Sequence, residues 1–119
     1  MAEEKVQRAV ISVGKSPNLL LLREAILQSS GYSVFSTADF AEAVSAVQRE
    51  HFDVLLVCYS VPNEWRAELI EKFRRHCPGG RVVAITDRPI TQCPVDADEL
   101  VYGIEGPDAL MHAVRGKAA

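Results

Sequence analysis

The side chains of this chain best suited to chemistry are a thiol and an amine, Cys58 and Lys15. A thiol close to a cation and to backbone amides ionises more readily and becomes a nucleophile or a redox sensor. Cys58 with Lys15 nearby would make such a pair; the sequence places no resolving cysteine beside it, and Cys93 would have to approach from an irregular segment. The plainer role for Cys58 is a small apolar residue closing a strand, since free cysteine is among the most buried residue types. Gly14-Lys15-Ser16-Pro17-Asn18 is a faint imitation of the loops that hold anions at a helix N-terminus. His76 and Cys77 are neighbours, but a zinc site needs about four converging ligands, and His51, His112 and Cys93 are not spaced to supply them. A polar helix end is the expected role of that pair. No Ser-His-Asp or Cys-His arrangement is readable, so no catalytic residue, metal or cofactor is expected and the chain is not expected to be an enzyme.

These residues fall at the ends of regular elements. Arg8–Val13 is strand-like. Ser16 and Pro17 then open a helix, as N-cap and first helical residue, with Leu19, Leu22 and Ile26 at helical spacing. Gly31 closes that helix in a left-handed cap, and Tyr32–Phe35 is a second short strand. Asp39 and Glu42 form a capping box for a helix with the inward stripe Phe40, Ala43, Val44 and Val47. Val54–Cys58 is a continuous apolar run, as in strands covered on both faces of a parallel sheet.

A third helix is predicted from Glu64 to Arg75, with Leu69, Ile70 and Phe73 inward, stopped by Pro78-Gly79-Gly80. Arg81–Thr86 is the fourth strand. Between Asp87 and Asp98, Pro89 and Pro94 do not both fit a helix interior, so any helix there is short, displaced or missing. Leu100–Ile104 is the fifth strand. Gly106-Pro107 starts the last helix, with Leu110, Ala113 and Val114 inward, and the tail from Arg115 to Ala119 is expected to fray.

Five strands alternating with helices imply right-handed crossovers and a mostly parallel sheet. The expected class is α/β, a doubly wound (βα)₅ flavodoxin-like fold with strand order 2-1-3-4-5. All 119 residues fit one domain, ordered from about residue 8 to 116. In such a sheet ligands bind in the crevice beyond the carboxyl ends of the strands. The loops at that edge are Gly14-Lys15-Ser16, Cys58–Asn63, Thr86–Arg88 and Glu105-Gly106.

Composition narrows the function classes. The net charge is −3 and the pI about 5.6, which argues against direct nucleic-acid binding. The densest basic run, Lys72–Arg75, is broken by Phe73 and reads as a solvated helix face. No run approaches the ~18 apolar residues of a membrane span. The acidic start Met1-Ala2-Glu3-Glu4-Lys5 has no signal-peptide layout. A cytoplasmic protein with no membrane contact is expected.

Taken in order, several stretches resemble the receiver domain of bacterial response regulators, over about residues 8 to 116. Arg8–Pro17 resembles the first strand and the proline after it. Gly31-Tyr32-Ser33-Val34 resembles the step into strand two, and Ala38–Ala43 the start of helix two. Phe52–Pro62 resembles the run leading to the phosphoacceptor, and Val82–Thr86 the strand that ends in a hydroxyl residue.

The resemblance implies a phosphorylation pocket whose chemistry has been lost. The paired acids that hold Mg²⁺ in the family fall on Gly14 and Lys15, and the phosphoacceptor aspartate falls on Cys58. The hydroxyl residue is retained as Thr86. The lysine before a proline falls on Glu105 or Gly106, depending on a one-residue gap. The aromatic switch corresponds to Tyr102, and the glycine of the loop after strand three falls near Arg66. Mg²⁺ requires hard oxygen ligands, phosphoryl transfer requires that cation, and a thiol is a soft ligand. Lys15, paired with Glu64, Asp87 or Glu105, would imitate the neutralised phosphorylated state.

The implied function is a pseudo-receiver in a phosphorelay-type pathway, acting through protein partners without phosphate. Trp65 and Tyr102 are the candidate contact residues, and a homodimer is allowed. The chain would be a stand-alone adaptor or the N-terminal domain of a longer regulator. The competing classes are a Cys58-centred thiol sensor and a flavodoxin-type small-ligand binder.

Overall fold

The computed structural model describes residues 8–86, 97–102 and 106–116. Its elements are β1 (Ala9–Val13), α1 (Pro17–Ser29), β2 (Ser33–Thr37), α2 (Phe40–Arg49), β3 (Val54–Cys58), α3 (Asn63–His76), β4 (Arg81–Thr86), β5 (Glu99–Tyr102) and α4 (Pro107–Arg115). All strand pairs are parallel and the sheet order is β2-β1-β3-β4-β5, as the alternating pattern requires. The expected short or irregular helix after β4, with Pro89, Pro94 and Cys93, lies outside the described residues, as do Glu105 and Ile104.

The apolar runs become the sheet core because both faces are covered. Side chains alternate across the pleat. Ile11, Leu55, Val57 and Val82 therefore pack under α2 and α3 with Ala43, Val47, Leu69, Ile70 and Phe73. Val10, Val54, Leu56, Val83 and Ile85 meet Leu27 of α1 and Leu110, Met111, Ala113 and Val114 of α4 on the other face. A fully buried Leu, Val or Phe side chain contributes about 1.5–3 kcal/mol. The apolar positions expected in α2, α3 and α4 do point inward, with Phe40 and Val44 only half-buried.

Helix α1 differs from expectation. Its inward residues are Leu20, Arg23 and Leu27, while Leu19 and Leu22 are exposed and Ile26 is half-buried. Four successive leucines, Leu19–Leu22, put an apolar residue on every side of the helix, and the backbone settles the phase one residue later than the leucine spacing suggests. The caps do match. The Ser16 side chain accepts from the Leu19 N–H at 3.3 Å, and Gly31 (φ 94°) lets Tyr32 N–H reach back to the Leu27 carbonyl at 3.1 Å.

The capping box of α2 is half built. Asp39 accepts from the Glu42 N–H at 3.1 Å. Glu42 does not return to the Asp39 amide but accepts from the Thr37 hydroxyl at 2.5 Å, and Thr37 Oγ1 accepts from the Asp39 N–H at 3.0 Å. The last residue of β2 is thereby built into the start of α2. Cys77 is likewise not the polar helix end expected. It is fully buried, and its sulfur accepts from the Phe52 N–H at 3.4 Å. The basic run Lys72–Arg75 is solvated as expected: Arg75 pairs with Glu71, Lys72 with Glu68 and Arg74 with Asp98.

Candidate functional site

Strand order alone brings three of the singled-out positions together. β1 lies beside β3 with Val13 opposite Val57, so Gly14 and Cys58 follow side by side at the carboxyl edge. A Cβ on Gly14 would stand 3.2 Å from the Cys58 Cβ. On the far side of β3, Cys58 is opposite Ile85, which makes Thr86 the next residue out along β4. Thr86 is buried and lies opposite Tyr102 of β5. Gly14, Cys58 and Thr86 thus sit together at the carboxyl edge of the sheet, the edge at which doubly wound folds bind ligands.

The loop after β3 closes over this edge through Ser60, whose hydroxyl accepts from the Lys15 N–H at 3.1 Å. Arg66 sets the shape of that loop from beneath. It is 9% exposed, donates to the Val61 carbonyl at 3.0 Å and to Asn63 Oδ1 at 2.7 Å, and lies 4.3 Å from the centroid of the Tyr59 ring. Where the resemblance expects a glycine, the chain holds a clamped guanidinium.

Lys15 turns away from the crevice. Its Nζ stands 5.8 Å over the Trp65 ring, a cation–π geometry, and Trp65 stacks on Phe40 with centroids 5.1 Å apart. The expected ion pair with Glu64 is not formed. Asp87 and Glu105 lie outside the described residues. Trp65, 41% exposed, belongs to the α2–α3 side, whereas Tyr102 is on the opposite edge strand. The two candidate contact residues therefore do not form one surface. Gly106 has φ 92°, a conformation that disfavours any side chain, so a lysine at that position would be strained.

The residue that the sequence reading missed is Arg23. It is 8% exposed on the inner face of α1, and its Nη1 comes within 3.8 Å of the place a Gly14 Cβ would occupy. An arginine at an inward helical position gives no signal in a hydrophobic pattern. The seven-residue spacing of Leu20 and Leu27 around it was the available clue.

These residues do not suit the Mg²⁺ that the resemblance implies. Gly14 has no side-chain ligand, Cys58 is a soft ligand, and Arg23 brings a fixed positive charge to the same spot. Among the described residues no group of three or more His, Cys, Asp or Glu could hold a metal ion.

No model of a known protein family and no curated protein matches this sequence. Solved structures do match it. The class they define is the flavodoxin-like doubly wound sheet, and within that class the fold of this chain is the CheY-like response-regulator receiver fold. A receiver domain from Methanospirillum hungatei JF-1 is 23% identical with TM-score 0.76, covering 88% of this chain and 88% of that one. The Vibrio cholerae chemotaxis response regulator CheY4 is 20% identical with TM-score 0.77, covering 89% of this chain and 94% of that one. Response regulator TrrA from Thermotoga maritima, in complex with Mg²⁺–BeF, is 19% identical with TM-score 0.69, covering 81% and 86%.

Proposed function

We propose that this chain is a receiver-fold signalling module that acts through contacts with a protein partner and takes no phosphoryl group from a phosphodonor. One observation carries the reading: Gly14, beside Cys58 at the head of the sheet, meets the Arg23 guanidinium where the family's resemblance expects metal-holding acids. A divalent cation placed there would lose its carboxylate ligands and face a fixed positive charge, and without it the charge of a transferring phosphoryl group is not neutralised. The solved neighbour from Thermotoga maritima that carries Mg²⁺–BeF supports the contrast. The loop clamp by Arg66 and the Ser60–Lys15 bond favour one fixed conformation of the crevice edge, as expected of a module that presents a constant surface. Among the described residues no helix is long and apolar enough to cross a membrane. We place the module in the cytoplasm, without catalytic activity of its own.

The test is incubation with acetyl phosphate and Mg²⁺, and separately with beryllofluoride and Mg²⁺, read by intact mass and amide NMR. The expected result is an unchanged mass and no Mg²⁺-dependent shift at Cys58 or Thr86. A stable adduct of phosphoryl mass, or saturable beryllofluoride shifts at those residues, would overturn the reading.

A further inference from the structure

Among the described residues, three of the four large apolar side chains that stand exposed belong to one turn of α1: Leu19, Leu21 and Leu22. The fourth, Trp65, is stacked on Phe40. Leu21 and Leu22 are 65% and 56% exposed. Leu20, Arg23 and Leu27 hold the inner side of the helix, so Leu21, Leu22 and the exposed Ala25 share its outer side, where residues three and four apart are neighbours. A contiguous apolar surface left in water marks a contact with another chain. The same region is nearly free of charge. From Ser16 to Ala38 the charged residues are Arg23 and Glu24 alone. Arg23 is buried on the inner side, and Glu24 is half-buried and accepts from Gln28 Nε2 at 3.3 Å. The adjoining edge strand β2 also lacks charge, although edge strands are commonly blunted by charged side chains. The other helices present exposed charges of both signs: Glu42 and Arg49 on α2, Glu68 and Arg75 on α3, Asp108 and Arg115 on α4.

From this we infer that the chain pairs with a second copy of itself through α1, the two helices running antiparallel about a two-fold axis near Ala25. The absence of charge selects this occupant. A two-fold axis brings a patch onto its own image, so any charge in it meets its like, and such meetings are costly. An uncharged face escapes that penalty, whereas a face built for a charged partner carries the complementary charge. Each copy has a net charge of −3, and α1 lets the copies meet where little of it lies. Ala25, set between Leu21 and Leu22, lets the helix axes approach to about 8 Å, the short end of the usual range, with the leucines of each copy straddling the partner's alanine. The contact is small. A helix of 13 residues is about 20 Å long and offers roughly half of the ~800 Å² per partner found in stable complexes. The pairing is therefore weak and dependent on concentration. It goes beyond the phosphate-independent reading above and does not rest on it.

The experiment is sedimentation equilibrium of the whole chain up to a concentration of about 1 mM, with amide NMR over the same range. A monomer–dimer equilibrium with a dissociation constant on the order of 100 µM is expected. Added salt should not weaken it, because the contact is uncharged. The shifts that grow with concentration should centre on Leu21, Leu22 and Ala25. Two double variants then test whether like meets like. Leu21→Lys with Leu22→Lys, and Leu21→Glu with Leu22→Glu, each set equal charges across the axis and should weaken self-association at least about tenfold. An equimolar mixture of the two should associate at least as tightly as the parent chain. Both positions are exposed, so the variants keep the fold, which circular dichroism checks. A parent chain still monomeric at about 1 mM overturns the inference and gives the leucine face to a different protein. Shifts centred on Tyr102 or Trp65, or a mixture no tighter than its components, overturn it as well. None of these results bears on the phosphodonor test above.

Discussion

Replacing Arg66 by methionine isolates what its guanidinium does for the loop after β3. Methionine keeps a long apolar stem on the inner face of α3 and removes the charge. Three interactions go: the bond to the Val61 carbonyl at 3.0 Å, the bond to Asn63 Oδ1 at 2.7 Å, and the approach to Tyr59 at 4.3 Å. The first matters most, since Val61 is 4% exposed and water reaches its carbonyl poorly. A hydrogen bond from a charged donor contributes about 1.5–3 kcal/mol, and an orphaned buried acceptor costs about 1–3. Asn63 sits at the helix start and regains water, so its bond counts for less. The Tyr59 contact contributes about 0.5–1 kcal/mol. The expected loss is about 3 kcal/mol, a large share of the ~5–15 kcal/mol that holds a domain of this size. Urea unfolding followed by circular dichroism measures it, with an unchanged slope showing that the same surface is exposed. Amide exchange across Tyr59–Asn63 should quicken as well. A loss below about 1 kcal/mol with unaltered exchange would refute the clamp, since one buried charged bond alone exceeds that figure.

Three further outcomes are expected. Gly80→Ala should cost about 1–3 kcal/mol by urea unfolding, because its Cβ would lie 2.4 Å from Phe73 Cζ and 3.0 Å from the Cys77 carbonyl; a neutral result would mean that Phe73 moves aside freely. Leu27→Ala should cost about 2–5 kcal/mol and Leu22→Ala less than about 0.5, since Leu27 is fully buried and Leu22 is 56% exposed; equal losses would contradict the phase of α1. Native-state labelling with an aromatic disulfide, mapped by mass, should modify Cys58 well before Cys77, which is buried under the Phe52 amide; early labelling of Cys77 would contradict that packing.

Much of this molecule is legible in its letters, and the limits are physical. Val54–Cys58 was recognisable as a covered strand because an unbroken apolar run of that length suits a sheet packed on both sides. Parallel pairing then places Gly14 next to Cys58 without any knowledge of side chains. What stayed hidden were the two inward arginines. Arg23 and Arg66 occupy positions at which a hydrophobic pattern expects a leucine, and such a pattern is blind to an arginine whose stem is buried. The phase of α1 failed for a related reason: a leucine quartet carries no periodicity. The direction of Lys15 toward Trp65 depends on the stacking of Phe40 on Trp65, residues 25 apart that only the α2–α3 packing unites.

The two faces of the sheet are completed at different moments of synthesis. The buried side chains in the layer of α2 and α3 against Ile11, Leu55, Val57 and Val82 come from residues up to Val82, with the partly buried Ala97 added later. The opposite face awaits Leu110, Met111, Ala113 and Val114, and with them the carbonyl of Ala113 that receives Arg81 Nε at 2.8 Å. A nascent chain stalled before Pro107 therefore carries Val10, Leu56 and Val83 partly uncovered, the kind of apolar surface that recruits chaperones and seeds aggregates. The final nine-residue helix acts as the lid on that hydrophobic face. Truncations inside it should lower soluble yield more than their length suggests.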